Sequence, residues 1–153
     1  MQKIIWVDDV IESINYERNT LIPQRINTEN LKIYFYETIF ELIEFLIEEK
    51  IYDRDIFIID VMLIDEEEIL LPNGMSVEIP DELMAGVTLY TSYLKEHFPN
   101  NPVILYTSRE HEGRIFHNIT RDTRYEKSLF LIDKWEKDTK FIDVIKTLIK
   151  EEL

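Results

Sequence analysis

Short runs of β-branched and aromatic residues alternate along the chain with longer stretches in which apolar residues recur every three to four positions. A short run that is apolar on both faces suits a strand covered by helices on either side, and helical spacing between such runs suits the crossovers of a parallel sheet. The runs predict five strands, at residues 3–7, 31–36, 55–59, 102–106 and 128–132, each with a helical stretch after it. The final helix is the clearest, because Phe141, Ile142, Ile145, Leu148 and Ile149 recur at helical spacing and Asp138 or Thr139 is placed to cap its start. The fold class expected is α/β, a doubly wound, mostly parallel five-stranded sheet forming one domain over residues 1–153.

Two segments depart from this rhythm. The helix expected near residues 38–50 carries Ile39, Phe40, Leu42, Ile43, Phe45, Leu46 and Ile47, more apolar residues than one buried stripe requires. Two readings stay open there, a deeply packed helix and a surface for a partner or for a second copy in a homodimer. Between residues 64 and 83 the βα pattern is interrupted. Asp65-Glu66-Glu67-Glu68 leads into apolar residues flanking Asn73-Gly74, a pair that favours the tight turn of a β-hairpin. This insertion directly follows the third strand, where it could restrict access to a neighbouring site or dock a partner.

Charge narrows the partners. Acidic residues outnumber basic ones 31 to 17, for a net charge of -14, which repels phosphate backbones and anionic lipid. No direct binding of nucleic acid or membrane is therefore expected. No apolar stretch approaches membrane-spanning length, and Asp8 and Asp9 interrupt any signal-peptide core. The absence of cysteine excludes disulfides, thiolate metal ligands and a Cys nucleophile, and suits a cytoplasmic setting.

The candidate chemistry lies where apolar runs end. Asp8 and Asp9 close the run Ile4-Ile5-Trp6-Val7, and Asp60 closes Ile56-Phe57-Ile58-Ile59. In an open parallel sheet, ligands bind outside the carboxyl ends of the strands where strand order reverses, so these carboxylates can meet in one crevice. Gathered there they repel one another unless a hard cation or shared protons relieve them, which is the pattern of a metal-assisted phosphoryl site. Thr107 follows Val103-Ile104-Leu105-Tyr106, and Lys134 comes just past Phe130-Leu131-Ile132. Taken singly, Asp9 or Asp60 reads as a cap or turn acid, Thr107 as a strand-end residue and Lys134 as a solvated lysine. Caps have no reason to occur together in this order. His97, His111 and His117 lack metal-ligand spacing, and Tyr90 and Tyr93 fall near the spacing of a packed helix face.

In this order the residues resemble the receiver domain of two-component response regulators, whose pattern is an acidic pair after the first strand, an acceptor Asp after the third, Thr or Ser after the fourth and Lys after the fifth. Asp60-Val61-Met62-Leu63 resembles the family's Asp-x-Met-Leu, Met84-Ala85-Gly86-Val87-Thr88-Leu89 its Met-Asp-Gly-x-x-Leu, and Thr107-Ser108-Arg109 its Thr-Ala-Arg. The resemblance implies a (βα)5 flavodoxin-like topology with strand order 2-1-3-4-5. It also implies that Asp60 accepts a phosphoryl group, with Thr107 and Lys134 contacting the phosphoryl oxygens. Asp8, Asp9, Asp60 and the Met62 backbone carbonyl would hold Mg²⁺. The phosphodonor would be a sensor histidine kinase or phosphotransfer protein, and the output an interaction with another protein, because no DNA-binding domain follows the last helix. Such a domain is a signalling switch rather than an enzyme, catalysing at most its own phosphorylation and dephosphorylation.

The chain also departs from the family. Trp135 follows Lys134 where the family usually has Pro, and Leu131 stands where it commonly carries an aromatic residue that turns inward on activation. These departures keep a second reading open, a degenerate receiver that works as a fixed interaction module without phosphorylation. A third, a phosphatase resembling the haloacid dehalogenase superfamily, uses similar residue types but places its nucleophile first in an Asp-x-Asp motif and its acidic pair last. The order found here argues against it.

Overall fold

The computed structural model describes residues 1–63, 66–80, 84–107, 129–133 and 139–149. Within them each expected strand forms within one residue of its expected bounds. β1 (Gln2–Val7), β2 (Leu31–Tyr36), β3 (Ile56–Asp60), β6 (Val103–Thr107) and β7 (Leu129–Asp133) pair in parallel in the order β2-β1-β3-β6-β7. Counting only these strands, the order is 2-1-3-4-5, as expected. The chain turns to one side of β1 to make β2 and to the other to make β3, so strand order reverses between β1 and β3.

Alternation along each strand sends successive side chains to opposite faces. Ile5, Val7, Phe57, Ile59, Val103 and Leu105 enter one core, while Ile4, Trp6, Ile56, Ile58, Ile104 and Tyr106 enter the other. The first core is closed by α2 (Ile39–Glu48), by α3 (Ala85–Leu89) and by the π-turn Tyr90–Leu94 that leads into the short α4 (Lys95–His97). The second is closed by the segment after β1 and by α5 (Thr139–Leu148). That first crossover is uneven: a 3-10 turn at Ile11–Ile14 and a π-turn at Glu17–Leu21 precede α1 (Ile22–Arg25). Pro23 lies at the start of α1, and its missing N–H accounts for the break in the regular i→i−4 ladder just before it.

α2 packs on one face and leaves apolar residues exposed on another. Ile39, Leu42, Ile43 and Leu46 are buried, and Phe45 packs on the rings of Tyr34 and Tyr36, but Phe40 and Ile47 point outward. Thr38 caps α2 by accepting from the Glu41 N–H at 3.1 Å. Tyr90 and Tyr93 are packing residues, each 4% exposed, and the His97 ring lies against Tyr93. Among the described residues no helix is long and apolar enough to cross a membrane.

The insertion forms the expected hairpin, with β4 (Glu68–Leu70) antiparallel to β5 (Ser76–Glu78). Gly74 takes φ +85°, the left-handed region that the turn demands and that glycine enters without strain. The hairpin is fastened to the domain. Ile69 and Ile79 are buried in the α2 core, and the Glu66 carboxylate accepts from the Ile39 N–H at 3.0 Å, occupying the N-terminus of α2.

Candidate phosphoryl site at the switch point

Asp8 begins the loop after β1, and its N–H donates to the Tyr36 carbonyl at 3.0 Å, which extends the β1–β2 ladder by one step. Its carboxylate accepts from the Val10 N–H at 2.9 Å, folding the loop back so that Asp8 is buried while Asp9 stays half-buried. Asp60 is the last residue of β3, 7% exposed, and its Oδ1 accepts from the Met62 N–H at 3.4 Å. One carboxylate oxygen from each of Asp8, Asp9 and Asp60 lies within 4.8 Å of the others. The three acids expected to meet at the reversal of strand order are thus brought together.

At such separations each pair of ionised carboxylates repels by about 3 kcal/mol at an effective dielectric near 20. The donor set is made of oxygen alone, two of its three carboxylates are buried, and the chain has no cysteine to offer a thiolate. Those are the properties of a site for a hard divalent cation, and the residues present fit Mg²⁺. Met62 follows Asp60 by two positions, so its backbone carbonyl lies in the loop that borders the cluster.

Thr107 ends β6. Asp60 pairs in register with Tyr106, so Thr107 is one residue further along the adjacent strand, opposite Asp133 of β7. Lys134 is the next residue after β7; it lies outside the described residues, as do Trp135, Ser108, Arg109, His111 and His117. Leu131 belongs to the α2 side of the sheet and Phe130 to the α5 side, so neighbouring β7 residues do face opposite ways.

One contributor went unexplained by the motif match, namely Gly86. The Gly86 N–H donates to the Val61 carbonyl at 2.8 Å, which seats the start of α3 against the loop leaving β3. A β-carbon at Gly86 would lie 2.9 Å from both the Asp60 carbonyl carbon and the Val61 Cα, and closer still to the Asp60 oxygen. Only glycine lets α3 approach the Asp60 backbone so closely. The sequence signal was available, because Gly86 is one of only three glycines in the chain. Beside the site, burial first, then Tyr34, Glu49 and Glu41, raises the Tyr36 phenol above its ordinary pKa.

No protein-family model matches the sequence, and no curated protein matches it significantly. Solved structures do. RcsB from Salmonella enterica serovar Typhimurium, bound to promoter rprA in the presence of the phosphomimetic BeF3-, superposes with TM-score 0.65 at 18% identity, covering 98% of this chain and 100% of that one. The receiver domain of the Francisella response regulator 1452 superposes with TM-score 0.59 at 14% identity, covering 97% and 96% of the two chains. The chain has the receiver fold. An adenylate cyclase structure from Rhodopirellula baltica is also similar, with TM-score 0.60 at 12% identity over 97% of this chain and 87% of that one. Structures with different names thus share this fold, and function has to be argued from the site.

Proposed function

We propose that this chain is a response-regulator receiver over residues 1–153 in which phosphorylation of Asp60 switches a protein-interaction surface. The observation that carries the reading is the carboxylate trio Asp8, Asp9 and Asp60, two of them buried, at the reversal of strand order in a receiver fold. An Asp60 carboxylate oxygen attacks the phosphorus of a phosphohistidine on a histidine kinase or phosphotransfer protein. The new P–O bond forms as the P–N bond breaks, and the departing imidazole takes up a proton. Asp8, Asp9, Asp60 and the Met62 carbonyl would hold Mg²⁺, which when bound supplies positive charge against the phosphoryl oxygens. The Met62 N–H bond to Asp60 Oδ1 orients the carboxylate. The Thr107 hydroxyl and the Lys134 ammonium are assigned to the remaining phosphoryl oxygens, the first as a donor and the second as a counter-charge. Phosphorylation then shifts an equilibrium between two surface conformations that a partner protein distinguishes.

The test is intact mass after incubating the protein and its Asp60→Asn variant with a small acyl phosphate and Mg²⁺. A phosphoryl-sized increase that requires Mg²⁺ and is absent from the variant is the expected result. No increase in either protein would replace this reading with the fixed interaction module.

A further inference from the structure

Four of the large apolar side chains left most exposed among the described residues belong to two neighbouring elements: Phe40 and Ile47 on α2, Leu70 on β4 and Met75 at the hairpin turn, exposed by 56, 59, 52 and 65%. Phe40 and Ile47 are seven residues apart and so lie within about 20° of each other around the helix. They occupy the flank turned away from Phe45, whose ring packs on Tyr34 and Tyr36 of β2. Leu70 lies on the outward face of β4 because its neighbour Ile69 points into the core. The same two segments are strongly acidic: the described residues 37–49 and 66–80 contain nine acidic residues and no basic one, in a chain of net charge -14.

We propose that the outer face of α2 and the β4–β5 hairpin form a docking surface for a basic amphipathic segment of a partner protein, one presenting apolar side chains flanked by Lys and Arg. Charge complementarity selects this occupant. A second copy of the chain meeting the same face would oppose acid to acid, and nucleic acid or anionic lipid would be repelled. Phe40 and Ile47, aligned along the helix, add apolar surface to this acidic face. The surface is preformed, because buried Ile69 and Ile79 and the Glu66 bond to the α2 N-terminus fix the hairpin against the helix. This surface is distinct from the Asp60 site and does not require phosphorylation.

The experiment uses the full chain and a fluorescent helical peptide of about 18 residues built from Leu and Lys, with a Leu/Glu peptide of the same pattern as control. Anisotropy should show saturable binding of the Leu/Lys peptide alone, weakened about tenfold or more in Phe40→Ser/Ile47→Ser. Tyr16→Ser, which removes an exposed aromatic elsewhere, should bind as the parent does. Amide resonances of residues 39–48 and 66–79 should shift on titration, which locates the contact without relying on variants. Equal binding by the double variant, or resonance shifts outside these elements, would overturn the proposal. So would sedimentation showing a dimer that Phe40→Ser/Ile47→Ser dissolves, since the face would then be covered by the chain itself.

Discussion

Replacing Gly86 with Ala tests whether the Asp60 backbone is held in place by close approach of α3. The added methyl would stand 2.9 Å from the Asp60 carbonyl carbon and from Val61 Cα, where carbon atoms ordinarily rest about 3.5–4.0 Å apart. The Asp60 carbonyl oxygen would be nearer still, and all of these are main-chain atoms, so α3 or the β3 end must move by at least roughly 0.6–1.1 Å. The Gly86 N–H bond to the Val61 carbonyl, now 2.8 Å, lies in the path of that movement. Overpacking of this kind costs about 1–3 kcal/mol, and the better helix propensity of Ala returns up to about 1 kcal/mol. A net loss of about 1–2 kcal/mol corresponds to a melting temperature lower by about 2–8 °C for a chain of this size. The kinetic effect should be larger than the stability effect. A shift approaching 1 Å in a reacting group costs on the order of 10²-fold in rate, so phosphorylation of Gly86→Ala by a small acyl phosphate should slow by about that factor while the protein stays folded. Gly74→Ala is the control: its φ of +85° makes the substitution strained, but nothing lies within 4 Å, so it should lose about 1 kcal/mol without altering the phosphorylation rate. The reasoning fails if Gly86→Ala melts at or above the parent temperature and is phosphorylated at the parent rate.

Three further outcomes follow from the same geometry. In metal-free buffer Asp9→Asn should stabilise the protein by about 1–2 kcal/mol, because it removes repulsion within the carboxylate trio, and thermal melts with and without Mg²⁺ would show the gain reversing as the cation is added. Asp55 is fully buried before β3 and accepts from the Lys3 N–H at 2.8 Å and the Tyr52 N–H at 2.9 Å, so Asp55→Ala should lose about 2–4 kcal/mol in urea unfolding. An unchanged midpoint would show those donors to be satisfied in another way. The Tyr36 and Tyr93 phenols are both raised, chiefly by burial, so in the folded state they keep their protons to higher pH than in the unfolded chain. Their contribution is intact below the unfolded tyrosine value near 10 and is lost as pH rises through the folded values; stability should therefore fall above about pH 10, and less steeply in Tyr93→Phe.

Much of this was legible in the residues, for reasons that particular elements make plain. The five apolar runs could be placed because a strand covered on both faces must be apolar on both faces, as the buried interior strands are. The hairpin could be placed because Asn73-Gly74 supplies the backbone that a tight turn needs. The ends of the interior strands were harder. Asp55 was expected to start the third strand, but its carboxylate instead ties Lys3 and Tyr52 together, and the ladder runs on to include Asp60. Ladder pairing depends on which backbone lies alongside, which hydropathy does not encode.

The division between chain and fold is clearest on α2 and at the site. Sequence alone determined that seven apolar residues crowd one helix and that three acids end two strands, because periodicity and residue type are local properties. Only the tertiary structure decided that Ile39, Leu42, Ile43 and Leu46 turn inward while Phe40 and Ile47 turn out. It alone brought Asp8, Asp9 and Asp60 within 4.8 Å and set Gly86 against the Asp60 backbone. Those outcomes depend on distances between segments separated by tens of residues, and such distances are fixed by how sheet and helices pack rather than by any property of the segments themselves.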